Sequence, residues 1–259
     1  MIKTTDFSKS EQYTLSIRLS TDGFSFSVFN PLSTEAQAVY DYPTDITCSL
    51  IANLKQAFKD LEWLNHNYRR VNVMIVDKRF TFIPLDFFED EQVDTIFYHN
   101  HQPRENEKVQ YNILRKSNVV LLFGMDKSLC SFLNEQYPSC KFFSQATPLI
   151  DYFAIKSRLG NNRKMYTYLR KESIDIYCFE RGRLLFANSF PCKETADRIY
   201  YQLYTWKQLD FDQERDELHL TGELNEKEIL LAQLRKYVSQ VFVMNPATNL
   251  DLQAIITCE

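Results

Sequence analysis

The chain has 259 residues, 44% of them hydrophobic and 25% charged, which suits one large domain or two of ordinary size with substantial cores. Its formal net charge of −4 argues against non-specific nucleic-acid binding, which needs a basic surface to neutralise phosphates. No apolar run is long enough to span a bilayer, the N-terminus lacks a secretory apolar stretch, and the six cysteines show neither a C-x-x-C nor a regular spacing.

These features predict a soluble, cytoplasmic protein with reduced, mostly buried thiols. After a loose polar start, Tyr13–Ser20 alternates Leu15, Ile17 and Leu19 with Ser16, Arg18 and Ser20, the period-2 mark of a strand. Thr21-Asp22-Gly23 is a hairpin turn, and Phe24, Phe26 and Val28 resume the alternation. A third strand is expected over Glu35–Tyr42 and ends at Pro43. Thr44 or Asp45 is placed to cap a helix reaching about Asn65, with Ile46, Leu50, Leu54, Phe58 and Leu61 as its buried stripe. Val71–Val76 reads as a buried strand, with Arg79–Ile83 as its pairing partner. Asp86 and Glu89 have capping-box spacing for a helix through about Tyr98. Glu107–Leu114 and Asn118–Phe123 read as strands, and Asp126 as the cap of a helix carrying Leu129, Phe132 and Leu133. A brief strand at Lys141–Phe143 follows, and Thr147-Pro148 opens a helix to about Ser157.

Arg158–Arg163, containing Gly160-Asn161-Asn162, is the clearest breaker, so the expected domains are 1–158 and 159–259. Residues 79–125 belong to the first domain or form an insertion in it. In the second half, strands are expected at Met165–Arg170, Ser173–Glu180 and Arg183–Phe190, with Gly182 in the hairpin turn. A helix over about Glu194–Trp206 and a strand at Glu217–Thr221 follow, the strand ending at Gly222. Asn225 with Glu228 has capping-box spacing for a further helix, Val241–Val243 is a last strand, and Pro246 starts a short tail. Each half therefore starts with three strands, a helix and a strand. This duplicated β-β-β-α-β pattern with mixed sheets predicts an α/β protein of two lobes.

That layout resembles the actin-like ATPase superfamily, which includes sugar kinases and the heat-shock ATPases. Ile174–Phe190, IDIYCFERGRLLFANSF, followed by a helix and then ELHLTGEL, is similar to the second lobe of the actin-like proteins of type IV pilus and type II secretion assembly. The similarity covers roughly 13–45 and 164–240, and an uncharacterised bacterial family grouped with this fold, of undefined function, is similar as well. The resemblance implies a two-lobed actin-like (ribonuclease H-like) fold. It also implies ATP and magnesium as cofactors, with an acid and a glycine at the first hairpin of each lobe. Here the first hairpin offers Thr21, Asp22 and Gly23, and the later glycine turn offers Gly222. The second hairpin reads Arg170-Lys171-Glu172, with neither the expected acid nor a glycine.

Two readings follow. In the first, the chain is a non-catalytic actin-like scaffold or adaptor that works through a protein partner and needs no cofactor. In the second, it is an ATP-binding or ATP-hydrolysing enzyme or nucleotide sensor using Thr21, Asp22, Gly23 and Gly222. A third, RNA association, would use the basic cluster Lys156, Arg158, Arg163, Lys164, Arg170 and Lys171, which also reads as a charged connector. His99 and His101, near Glu105 and Glu107, read as a loop ahead of a metal site, and Asp210–Glu217 reads as a solvated acidic loop. Tyr200, Tyr201, Tyr204 and Trp206 crowd one helix, so they form either a binding surface or packing. No catalytic residue and no metal ligand is nominated.

Overall fold

A computed structural model of the protein describes residues 6–32, 37–223, 226–244 and 249–258. The chain divides into two compact units, Met1–Thr147 with Ile255–Glu259, and Pro148–Ala254. The Gly160 turn, where the sequence places its boundary, lies inside the second unit.

The first unit opens with β1 (Thr14–Ser20), β2 (Gly23–Phe29) and β3 (Gln37–Tyr42), an antiparallel meander. Helix α1 (Leu50–Asp60) leads to β4 (Arg70–Ile75), which runs parallel to β1. Next come β5 (Phe80–Pro84), α2 (Val93–Asn100), β6 (Glu107–Leu114) and β7 (Val119–Asp126), then α3 (Lys127–Gln136) and β8 (Lys141–Ser144). The main sheet has the order β3-β2-β1-β4-β8, while β5-β7-β6 form a separate antiparallel sheet. Leu15, Ile17, Leu19, Phe24, Phe26 and Val28 form the main core with Leu54 and Phe58 of α1 and Leu129 and Leu133 of α3. The opposite face is also buried, including Ser16 and Asn72. The returning segment Ile255–Thr257 packs there, and Asn72 Nδ2 donates to Ile255 O at 3.4 Å. Small polar side chains let backbone approach a sheet face that large apolar ones would fill.

The second unit repeats the plan. Helix α4 (Ala146–Lys156) leads into β9 (Lys164–Leu169), β10 (Ser173–Glu180) and β11 (Arg183–Pro191), again an antiparallel meander. Helix α5 (Thr195–Gln208), β12 (Glu217–Gly222), α6 (Lys227–Leu234), β13 (Gln240–Val243) and α7 (Leu250–Ala254) complete it. Its sheet order, β11-β10-β9-β12-β13, matches that of the first unit strand for strand. Met165, Leu169, Ile174, Ile176, Leu218 and Leu220 face Trp206 of α5 and Leu230 and Leu234 of α6. On the other face Phe153 of α4 stacks on Tyr166, with ring centroids 4.4 Å apart. Where the second unit runs from β12 directly into α6, the first inserts β5, α2, β6 and β7 between β4 and α3.

Several local expectations are corrected. Helix α1 is capped by Ser49, whose side chain accepts from Ala52 N; Asp45 instead accepts from Thr47, and Ile46 is exposed. Asp86 and Glu89 do not form a capping box: short 3-10 turns occupy Leu85–Phe87 and Asp90–Gln92, and α2 starts at Val93 without a side-chain cap. Thr147 does not cap α4; its hydroxyl donates to Asn112 Oδ1. Asp126 does cap α3, accepting from Leu129 N at 2.9 Å. Glu35, Asn225 and Pro246, named from the sequence, lie outside the described residues.

Candidate functional site

Equivalent turns close the first hairpin of each sheet. In the first unit the pairing of Ser20 with Gly23 leaves Thr21 and Asp22 as a two-residue turn, both exposed. Gly23 has φ of +148°, a conformation L side chains rarely adopt. Thr44 Oγ1 donates to Thr21 O at 3.4 Å. The neighbouring strand ends are tied by polar groups that the sequence reading did not select. Val76 N donates to Leu19 O and Gln145 N to Ile75 O. The buried Gln145 side chain accepts from Asp77 N and donates to Asp77 O. The Asp77 carboxylate takes Arg104 at 2.8 Å and Arg79 N at 3.1 Å. Its signal in the sequence was an acid directly after a β-branched apolar strand.

In the second unit the turn is Arg170-Lys171-Glu172, and Arg170 folds inward. Its guanidinium reaches Asp175 Oδ2 on β10 at 2.9 Å and Asp251 Oδ2 on α7 at 3.1 Å. The carboxylates are 1% and 0% exposed. Tyr168 lies beneath, its ring 4.6 Å from the guanidinium carbon, and its hydroxyl donates to Asp251 Oδ1. Burial alone would push Arg170 toward neutrality, but the two carboxylates overcome it and hold its pKa above the ordinary value. Burial, reinforced by Asp175, likewise pushes the Tyr177 hydroxyl well up, so it stays protonated. The turn's carbonyls are taken as well. Arg198 Nη2 donates to the oxygens of Arg170 and Lys171, and Cys192 N donates to Glu172 O. A cation supplied by the protein itself therefore sits between two buried carboxylates, held by the turn.

Gly222 ends β12 in register with Leu169, at φ of +92°. A Cβ there would stand 2.2 Å from Leu169 O, so close strand pairing requires glycine whatever the ligand. Of the nominated residues, Thr21, Asp22 and Gly23 are brought together by one turn of the first unit, and Gly222 belongs to the second unit.

The other candidates resolve in place. Within the basic cluster, Arg163 pairs with Asp216, Lys164 with Glu217, and Arg170 with Asp175 and Asp251. Asp216 is thus a buried partner, not part of a solvated acidic loop. His101 bonds Thr81 and the oxygen of Phe80, while His99 is exposed. Trp206 is buried and Tyr201 stacks on Phe190, whereas Tyr200 and Tyr204 stay exposed. Cys48 is exposed, Cys140 is partly buried, and the other four cysteines are buried. No group of three or more His, Cys, Asp or Glu among the described residues could hold a metal ion. No helix among them is long and apolar enough to cross a membrane.

Paired 3-2-1-4-5 sheets with hairpin turns at equivalent strand ends define the actin-like ATPase fold, and solved structures agree. A Bacteroides thetaiotaomicron protein with actin-like ATPase fold and unknown function is 62% identical, covering 99% of this chain and 100% of that one, with a TM-score of 0.93. The PilM–PilN type IV pilus biogenesis complex matches over 93% of this chain and 89% of that one at 10% identity, with a TM-score of 0.59. The ethanolamine utilization protein EutJ from Carboxydothermus hydrogenoformans matches over 95% and 90% at 10% identity, with a TM-score of 0.52. No curated protein matches the chain. The chain belongs to the family described as protein of unknown function (DUF3822), whose model matches residues 2–241.

Proposed function

We propose that this protein is a non-catalytic scaffold or adaptor built on the actin-like fold, with a degraded nucleotide site. The observation that carries the reading is the second hairpin turn. It has no glycine to let backbone approach a phosphate, and Arg170 fills the space between Asp175 and Asp251. Gly222 has a sufficient reason in its contact with Leu169, so its presence does not argue for a nucleotide. The pilus neighbour is a protein–protein complex, a precedent on this fold for association with a protein partner. A second reading keeps ATP and magnesium, because the exposed Asp22-Gly23 turn retains an acid and a glycine at the end of β1.

Thermal unfolding with and without ATP, ADP or GTP, each with magnesium, separates the two. A ligand at ~100 times its dissociation constant adds roughly 2.7 kcal/mol, which moves the midpoint of a chain this size by several degrees. The adaptor reading expects no such shift and no phosphate release from ATP. Turnover of ATP ends it. A shift that Asp22→Ala removes, with the fold intact, moves the assignment to the Thr21-Asp22-Gly23 turn.

A further inference from the structure

The sheet inserted in the first unit carries an apolar surface that its own core does not cover. Helix α2 packs on β5-β7-β6 through Val93 and Phe97, which meet Ile83, Val109, Val120 and Leu122. This cover is short. Beyond it on β6, Tyr111 and Ile113 share the face of buried Val109 and are 37% and 41% exposed. Phe88 lies against Tyr111 with ring centroids 4.9 Å apart, and neighbouring Phe87 is 75% exposed. Single exposed apolar residues are ordinary, but a contiguous group of large ones marks a contact surface.

The charge in the segment that carries Phe87 and Phe88 has one sign. Asp86, Glu89, Asp90, Glu91 and Asp94 are all exposed, and no lysine or arginine occurs between Arg79 and Arg104. Asp90 comes close enough to the Tyr111 hydroxyl to help raise its pKa, after burial as the larger cause. Asp90 therefore borders the aromatic group in space, and the other acids lie beside Phe87 and Phe88 in the same segment. The nearest cations along β6 are Lys108, on the opposite face of the strand, and Arg115 and Lys116 in the turn after it. β6 is also tied to β8 at Asn112, whose Nδ2 donates to Phe142 O and whose Oδ1 accepts from Ser144 N. That leaves the side-chain face as the contact surface.

We infer that Phe87, Phe88, Tyr111 and Ile113, rimmed by Asp86, Glu89, Asp90, Glu91 and Asp94, form a docking surface for a cationic amphipathic segment of a partner protein. Apolar side chains of the segment would cover the aromatic group, and its lysines or arginines would meet the acidic rim. Such an arrangement gives affinity from the apolar anchors and orientation and on-rate from the charges. A second copy of this chain fits less well, because like acidic rims would face one another. The inference deepens the adaptor reading and rests on it for its biological sense.

The test uses the full chain and two fluorescein-labelled peptides of identical Leu/Lys composition. One has the leucines at helical spacing on a single face, and the other has them dispersed. Fluorescence polarisation is expected to show tighter binding of the amphipathic order. Phe87→Ala with Ile113→Ser, and separately Asp90→Lys with Glu91→Lys, should each weaken it at least tenfold while leaving the unfolding midpoint unchanged. Phe87, Ile113, Asp90 and Glu91 are exposed, so these variants are expected to fold; if either shifts the midpoint, the milder Phe87→Ser or Asp90→Asn decides in its place. Equal binding of both peptides, or equal binding by the variants, overturns the proposal. So does a dimer in sedimentation that Phe87→Ala dissolves, since the occupant is then a second copy. ATP turnover would end the adaptor reading and leave this result standing, so the two failures are distinguishable.

Discussion

Arg170 shows how a single side chain changes the meaning of a turn. In the sequence it stands out only as a departure from the acid and glycine that the resemblance implies. Its partners are far away: Asp251 is 81 residues further on, and no local pattern announces it. The structure makes it the centre of a buried ionic group in which each charge depends on the others. Removing one member of such a group leaves the rest uncompensated, which costs about 3–5 kcal/mol. Arg170→Met is therefore expected to lose stability on that scale in urea unfolding, because Asp175 and Asp251 stay buried without their cation. Adding Asp175→Asn and Asp251→Asn should restore most of the loss. If Arg170→Met unfolds at the wild-type midpoint, the guanidinium is not what neutralises those carboxylates, and the case for a self-filled site fails with it.

Elements were legible where one period ran long enough to be unambiguous. The meanders β1–β3 and β9–β11 follow from alternation and from glycine in two hairpin turns. Caps were less so. Asp45, Asp86 and Thr147 all have the chemistry of a helix start, yet each is used elsewhere, because a side-chain oxygen serves a turn or a tertiary contact as readily as a helix N-terminus. Ser49, four residues after Asp45, is the real cap of α1. Gly222 shows the same ambiguity at a strand end, where a glycine after a strand suits a nucleotide turn or close backbone packing equally. The two are separable by substitution without any ligand. Gly222→Ala must push its Cβ away from Leu169 O, 2.2 Å off, at a positive φ, so the β12–β9 pairing opens and stability falls by more than about 1 kcal/mol. Gly23→Ala meets only Tyr42 O at 3.5 Å and should cost less. Calorimetric midpoints of the two variants settle it, and an equal or smaller fall for Gly222→Ala would show that glycine there is not a packing requirement.

On the scale of the whole molecule, the duplication was visible because two sheets with the same strand order leave the same alternation twice in the chain. The inserted sheet is not legible in the same way: the sequence pairs Arg79–Ile83 with Val71–Val76, whereas β5 pairs with β7 in a separate sheet, a long-range choice that no local pattern marks. Charge is the property for which counting residues misleads most. The run from Lys156 to Lys171 looks like a basic patch, and the net charge of −4 alone does not exclude a local one. Three of its six cations are bound to carboxylates of their own unit, which cancels the field a polyanion would feel. A fluorescein-labelled oligouridylate is therefore expected to show no binding to the intact protein even at about 50 mM salt, where phosphate contacts are strongest. Polarisation that rises with protein and falls steeply as salt is added would mean that the ion pairs yield to phosphate, and RNA association would return as a function of that segment.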